Sequence, residues 1–197
     1  MNSFQLFSSL HSHEESIQKF IEQLHECATK STHEKGVFLL RQGEKCTYSF
    51  FVQRGLLRQY HIDSKGKEHI VQFAPENWFM TDRESVYFNQ PSRYFIQALE
   101  YTETLQFDEA LLLQLSRDNP SFVALNTRLL HNHIRHLQQR ITQLQSATAK
   151  ERYLDFIGLY PDLLLRVPQI LIASYLGITP ESLSRVRKEM ARKNQAV

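Results

Sequence analysis

Val167-Pro-Gln-Ile-Leu-Ile-Ala-Ser-Tyr-Leu-Gly-Ile-Thr-Pro-Glu-Ser-Leu-Ser-Arg-Val-Arg-Lys-Glu-Met190 carries the densest set of structural signals in this 197-residue chain. Two helices that cross steeply through a tight turn need a small residue inside the first, a glycine at the turn and apolar residues at fixed offsets. Pro168 suits a helix start, Ile172 and Leu176 supply an inner face, and Ala173 permits a close crossing. Gly177 can take the positive φ of the turn, with Ile178 plugged beneath it. Thr179 followed by Pro180 is an N-cap and first-turn pair, so a second helix starts there. On that helix Leu183, Val186 and Met190 share one face, and Glu181, Ser184, Arg185, Lys188 and Arg192 share the other. The pattern predicts a helix-turn-helix.

The polar face of the second helix suits a DNA major groove. Arg185 offers a bidentate fork to guanine, and Glu181 can accept from the cytosine amino group. Ser184 reaches a base or a phosphate, while Arg187 and Lys188 are placed for phosphates. Gln169, Thr179 and Ser182 complete the candidate DNA-contacting set. Two alternatives stay open: the helix dipole favours a carboxylate such as Glu181 in any first turn, and Arg187 serves equally as a solvated charge. Charge distribution points the same way as the helix face. Residues 120–197 carry 11 Lys and Arg against 5 Asp and Glu, whereas residues 1–119 carry 12 against 16, within a net charge of +2. A basic C-terminal third suggests a polyanionic partner.

Upstream, residues 121–150 contain no Gly or Pro, which allows about 45 Å of helix at about 1.5 Å per residue. Leu130, Leu137 and Leu144 fall seven apart, as do Thr127, Ile134, Ile141 and Thr148. β-Branched residues at a and leucines at d favour a parallel two-stranded coiled coil. The expected dimer seam is Leu130, Ile134, Leu137, Ile141 and Leu144. A helix lying only on its own core would show a broader apolar stripe.

The N-terminal part changes period. Residues Glu14 to Lys30 read as a helix, followed by short β-rich runs at Val37–Leu40, Tyr48–Gln53, Leu56–Ile62, Glu68–Phe73, Tyr94–Ala98 and Thr102–Phe107. Turn residues separate many of them, which favours an antiparallel sandwich or jelly roll. Short helices are expected at Asp108–Ser116 and Tyr153–Tyr160, the latter closed by a Pro161-Asp162 turn. The fold class is therefore α+β, with an antiparallel β jelly roll over 1–119, a dimerisation helix over 120–149 and a DNA-binding helix-turn-helix unit over 150–197.

Several function classes drop out. The chain is 42% apolar and 22% charged, with no run long enough to cross a bilayer and no basic, cleavable leader at Met1–Leu10. Cys27 and Cys46 fit two free thiols in a reducing cytoplasm rather than a disulfide framework. His11/His13 lie outside the expected strands, and His131/His133, two apart on a helix, do not share a face. His133 and His136 do, but lack a third ligand. Asp82 and Glu84 fall in an expected loop and read as solvated. No Gly-x-Ser-x-Gly, P-loop or dinucleotide fingerprint occurs. The reading is no enzyme, no metal, no cofactor and no membrane.

With the β-rich part, the long helix and Ile-Ala-Ser-Tyr-Leu-Gly-Ile-Thr-Pro-Glu-Ser-Leu-Ser-Arg in view, the chain resembles the Crp/Fnr family of bacterial transcription regulators over essentially its whole length. In that family the second helix reads DNA, and Glu181, Ser184 and Arg185 match the Glu-x-x-Ser-Arg arrangement of the Fnr-like branch. Pro180 stands where some relatives carry a further arginine. The C-terminal domain is expected to be winged-helix-like with a truncated wing, because the chain stops seven residues after Met190. The resemblance implies a homodimer on an inverted repeat of double-stranded DNA, a small-molecule effector, and RNA polymerase as a further partner.

The sensing half departs from the family pattern. Cyclic-nucleotide binders carry a cassette resembling Pro-Gly-Asp-x-Phe-Gly-Glu and a later Arg. Here the matching stretch is Pro75-Glu-Asn-Trp-Phe-Met-Thr81. Met80 replaces the second Gly, Thr81 replaces the ribose-binding Glu, Ser92 takes the Arg position, and Glu76 brings negative charge toward the phosphate position. Arg93, one residue on, would face the other way on a strand. Cyclic AMP is therefore not the expected effector. Trp78, Phe79, Met80, Thr81, Ser92 and Arg93 are the candidate effector pocket, with Tyr87, Phe88 and Tyr94 either lining it or belonging to the core. The four-cysteine iron–sulfur option of Fnr has no counterpart in two cysteines. The alternative to a regulator is a ligand-binding or protein-interaction module of the same fold that does not bind DNA specifically.

Overall fold

In the computed structural model, which describes residues 14–118 and 120–194, helix α1 (Glu14–Cys27) leads into β1 (Thr29–His33), β2 (Phe38–Leu40), β3 (Ser49–Arg54), β4 (Leu57–Ile62), β5 (Glu68–Ala74) and β6 (Phe79–Met80). Helix α2 (Arg83–Phe88) precedes β7 (Phe95–Ala98) and β8 (Thr102–Phe107). The rest is helical: α3 (Glu109–Asp118), α4 (Pro120–Ser146), α5 (Ala149–Leu159), α6 (Leu163–Arg166), α7 (Gln169–Leu176) and α8 (Pro180–Asn194). The strands form two four-stranded sheets, ordered β1-β8-β3-β6 and β2-β7-β4-β5. Every pairing is antiparallel, as the turn-separated β runs predict.

The departures from the sequence reading have local causes. Thr29–His33 lacks apolar alternation, so no strand is expected there and its first two residues read as the helix tail. Instead it pairs with β8 along its whole length, from Thr29 opposite Gln106 to His33 opposite Thr102. Two threonines give it β preference without a buried face, and α1 stops at Cys27. The long helix stops at Ser146, not Lys150. There Thr148 and Glu151 form a capping box, the Thr148 hydroxyl accepting from the Glu151 N–H and the Glu151 carboxylate accepting from the Thr148 N–H. That box starts α5 four residues earlier than the expected Tyr153, and makes Thr148 a cap rather than a heptad position.

Asp82 is the clearest correction. Expected in a solvated loop, it is 4% exposed and caps α2, accepting from the Glu84 and Ser85 N–H groups. Its other oxygen accepts from the Ser92 hydroxyl at 2.7 Å.

Two cores result. One packs Leu24 of α1, Phe51, Leu105 and Phe107 of the sheet, Leu115 of α3, and Phe122 and Leu125 of α4. The other runs without a break from Phe73, Ala74 and Trp78 into Phe156, Tyr160, Ile172, Tyr175 and Leu183. The C-terminal helices are thus seated directly on the sheet that contains β5.

Removing the Asp82 carboxylate deletes a helix cap and the shorter acceptor of the buried Ser92 hydroxyl, which keeps only the Tyr94 carbonyl at 3.2 Å. Asp82→Ala should therefore lower unfolding free energy by about 2–3 kcal/mol, read from urea denaturation. A loss under about 0.5 kcal/mol would mean the site is as solvated as its sequence suggests.

Candidate nucleic-acid interface and effector cavity

Gly177 ends α7 in the left-handed region, at φ 66°, and the Ile178 N–H returns to the Ala173 carbonyl at 3.0 Å. This closure turns the chain tightly enough for Thr179 to cap α8, its hydroxyl oxygen accepting from the Ser182 N–H at 3.2 Å. Leu183 and Val186 are buried beneath the helix, with Met190 packed against the same core. Glu181, Arg185 and Lys188 are exposed, and Ser184 and Arg187 are half-buried beside them. Gln169 is exposed in the first turn of α7. The Glu181 carboxyl is held below its ordinary range by its own backbone N–H and the Thr179 hydroxyl. It is a carboxylate at a helix N-terminus first, whatever else it contacts.

Two arginines fix this unit to the helices before it. Arg140 of α4 donates to the Tyr175 carbonyl and lies 3.6 Å over the Tyr175 ring centroid. Arg152 of α5 donates to the Leu176 carbonyl at 2.8 Å. Both carbonyls belong to the last turn of α7, where cations complement the helix dipole.

Helix α4 has two unlike faces. Phe122, Leu125 and Leu129 pack against the β domain. The heptad positions on the other side stay open: Ile134 is 48% exposed, Leu137 39%, Ile141 55% and Leu144 45%, with Leu130 half-buried. Val123, one heptad before Leu130, is also exposed. Its place in the same row was visible in the spacing and not used.

A cavity of about 100 Å³ lies where the β domain meets α3 and α4. A single water needs about 10–15 Å³ on that measure, so the space admits a small ligand. Its apolar lining includes Trp78, Phe79, Tyr87, Phe107, Leu112 and Leu129. Its polar groups include Thr81, Arg83, Glu109, Asn126 and His133. The His133 imidazole is pushed down to about 4 by burial, with the Arg83 and His136 charges adding to the effect. It therefore offers the cavity a neutral ring, able to donate from one nitrogen and accept at the other.

Of the candidate pocket residues, Trp78, Phe79 and Thr81 line this cavity. Met80 is 1% exposed and belongs to the core beside it. Ser92 is turned to Asp82, and exposed Arg93 pairs with Glu84 at 3.1 Å. Neither joins the lining, because Asp82 draws Ser92 into the α2 cap. Phe88 is exposed, and Tyr94 packs edge-on to His61. The Glu76 charge does not face the cavity either; it accepts two 2.9 Å hydrogen bonds from Arg166 and one from the Gly55 N–H. Arg83, Asn126 and His133 were missed as lining residues. Only the packing of α3 and α4 on the roll brings them to this space, and no local motif marks them.

Among the described residues, no group of three or more His, Cys, Asp or Glu side chains could hold a metal, and no helix is long and apolar enough to cross a membrane. His11/His13 and the segment Met1–Leu10 lie outside the described residues, as do residues 195–197, on which the wing expectation bears.

Residues 30–119 match the model of the cyclic nucleotide-binding domain. The fumarate and nitrate reduction regulatory protein of Escherichia coli is 27% identical over 168 residues, covering 80% of this chain and 66% of that protein. The transcriptional activator protein anr of Pseudomonas aeruginosa is 29% identical over 167 residues, covering 77% and 66%. The chain thus spans just under two thirds of the length of these relatives. Among solved structures, FixK2 from Bradyrhizobium japonicum superposes with a TM-score of 0.73 at 20% identity, over 85% of this chain and 86% of that one. A CooA mutant from Carboxydothermus hydrogenoformans gives 0.66 at 21%, over 87% and 79%. At these identities the structural likeness is one of fold.

The depressed His133 value makes a pH prediction. In the unfolded chain this imidazole takes up a proton near its ordinary 6.5, whereas in the folded chain it resists until about 4. The unfolded state therefore binds more protons in that window, and stability should fall as pH drops through it. His133→Gln should flatten the fall, measured by urea denaturation at pH 7, 5.5 and 4.5. Equal slopes in both proteins would place the imidazole in solvent.

Proposed function

We propose that the chain is a Crp/Fnr-type, sequence-specific DNA-binding transcription regulator, a reading supported by the cyclic nucleotide-binding domain match and by the likeness to the fumarate and nitrate reduction regulators. In this reading residues 1–119 sense, 120–149 dimerise and 150–197 bind DNA, in the cytoplasm and without catalysis. One observation carries it: α8 buries Leu183 and Val186 while leaving Glu181, Arg185 and Lys188 exposed together on the opposite side. That set lies on the second helix of the turn, the one that a helix-turn-helix unit lays in a major groove. The candidate contacts are Gln169, Thr179, Glu181, Ser182, Ser184, Arg185, Arg187 and Lys188. A two-fold axis along α4 would present both recognition helices to successive major grooves, so the target is an inverted repeat with half-sites about 34 Å apart.

The effector is a small molecule other than cyclic AMP, held in the cavity beside Trp78, Phe79 and Thr81. That choice is supported by the side chains at positions 76, 80, 81 and 92, none of which supplies a phosphate or ribose contact. RNA polymerase is a further partner consistent with the family.

Dimerisation is tested directly. Burying Ile134, Leu137, Ile141 and Leu144 would contribute roughly 1.5–3 kcal/mol per side chain. Leu137→Lys should convert a two-chain species to a one-chain species in sedimentation equilibrium, and an unchanged mass would refute the seam.

DNA reading is tested on fragments selected from a random pool by the purified protein. Loss of a bidentate guanine contact costs about 1–3 kcal/mol, so Arg185→Ala should weaken the selected site far more than scrambled DNA. Lys188→Ala should weaken both alike and reduce the salt dependence, as for a phosphate contact. Equal weakening by Arg185→Ala would reassign it to the backbone. If the wild type selects no sequence, the interaction-module reading replaces this one.

A further inference from the structure

The loop between β5 and β6, residues 75–78, has a different role on each side. Toward the cavity, Asn77 and Trp78 form part of the lining. Toward the C-terminal helices, Glu76 receives the Arg166 guanidinium through two parallel hydrogen bonds of 2.9 Å. The Trp78 indole, 3% exposed, also packs 5.1 Å from the Tyr160 ring at the end of α5. The loop has little slack. Its backbone is held to β3 through the Asn77 N–H to the Val52 carbonyl at 2.8 Å and the Val52 N–H to the Trp78 carbonyl at 2.9 Å. Asn77 sits at φ 66°, a left-handed conformation that asparagine adopts more readily than other side chains.

We propose that residues 75–78 relay the state of the cavity to the helix-turn-helix, with Arg166 as the positioning residue that holds the DNA-binding unit to the loop. The effect on DNA rests on the regulator reading above; the coupling between loop and unit does not. Arg166 ties together three separate segments of the β domain. Besides Glu76 it donates to the Gly55 carbonyl at 2.9 Å and to Glu100 at 2.5 Å. Burial works against its charge, yet the hydrogen bonds it donates to Glu76 and Glu100 leave its affinity for the proton raised overall. Burial likewise opposes the Glu76 carboxylate, and its bonds to Arg166 and Gly55 still bring it below the ordinary range. Both partners are therefore charged at neutral pH, and a planar fork meeting a carboxylate fixes orientation as well as distance.

Position 76 is where the cyclic-nucleotide cassette pattern has a glycine next to the phosphate. In this chain it carries a carboxylate turned away from the cavity and bonded to the DNA-binding unit. A molecule entering beside Trp78 must press on an indole packed against Tyr160, two residues from the loop position locked to Arg166. The two rigid attachments leave the C-terminal unit as the part that yields.

Trp78 is the only tryptophan in the chain, so its fluorescence reports on the relay without a label. The full chain is compared with Arg166→Ala, Arg166→Lys, Glu76→Gln and, as a control on an exposed turn, Lys65→Ala. Acrylamide quenching of Trp78 should rise at least twofold in Arg166→Ala and Glu76→Gln, less in Arg166→Lys, and not at all in Lys65→Ala. Selected DNA should change the Trp78 emission of the wild type, since coupling is reciprocal, and should bind Arg166→Ala about tenfold more weakly. Should Arg166→Ala fail to fold, Arg166→Lys carries the same comparison. Weaker DNA binding with unchanged Trp78 quenching would reduce Arg166 to a structural prop and overturn the relay, as would no change in either. Raised quenching in a protein that selects no DNA sequence would uphold the relay while the regulator reading failed.

Discussion

An edge strand needs a partner, and here it is served by helices. β5 is last in its sheet, so one of its sides presents backbone groups with no neighbouring strand to bond them. The Ser174 hydroxyl of α7 meets two of them, accepting from the Ile70 N–H at 3.0 Å and donating to the Glu68 carbonyl at 2.9 Å. The Tyr160 hydroxyl, at the end of α5, donates to the Phe73 carbonyl at 3.2 Å. Side chains of the C-terminal helices thus take the place of a further strand. Around them Phe73, Phe156, Tyr160 and Tyr175 pack with ring centroids 5.3–6.4 Å apart, within the range of favourable aromatic pairs. Because these contacts seat α7, they also set where α8 points its exposed face.

Helix α4 faces a second constraint of the same kind. It must cover the β domain with one side, closing the core around Phe51 and Phe107, and it carries a heptad row on the other. Those demands are compatible because the covering residues, Phe122, Leu125 and Leu129, avoid the register of Leu130, Leu137 and Leu144. Arg140 then uses a third part of its surface to grip the end of α7. One helix consequently borders the cavity through Asn126, Leu129 and His133, carries the heptad row and anchors the helix-turn-helix.

Much of this was legible in the sequence, and the exceptions share a cause. The helix-turn-helix was readable because Gly177, Thr179 and Pro180 each have a narrow conformational range, and those ranges agree. The heptad row was readable because seven-residue spacing survives without knowledge of a partner. The strands from Phe38 to Phe107, apart from the two-residue β6, were readable from composition and turns. Lost were features that depend on contacts distant in the chain. Thr29–His33 becomes a strand only because β8 is beside it. Asp82 is buried where its carboxylate meets both the start of α2 and the Ser92 hydroxyl ten residues away. Glu76 reads as a charge aimed at a phosphate until Arg166, ninety residues on, is seen to claim it. The capping box at Thr148-Ala-Lys-Glu151 was a missed local signal, masked by the seven-residue step that includes Thr148.

The cavity itself bears on what kind of molecule it would hold. A cyclic phosphate is best met by bare backbone N–H groups and a cation, which glycines and an arginine provide. At the corresponding places this chain has Glu76 drawn off to Arg166, the buried side chain of Met80, and Ser92 committed to Asp82. The two glycine positions both carry side chains, so the backbone there is no longer open to a ligand. What remains is an aromatic and aliphatic lining with Arg83 and Glu109 as charges of opposite sign and His133 as a neutral imidazole. Opposite charges at one lining cancel much of each other's long-range field, which lowers the return on binding a multiply charged anion. Apolar surface with a few hydrogen-bonding groups is instead suited to a small, largely uncharged molecule whose shape Trp78 can register.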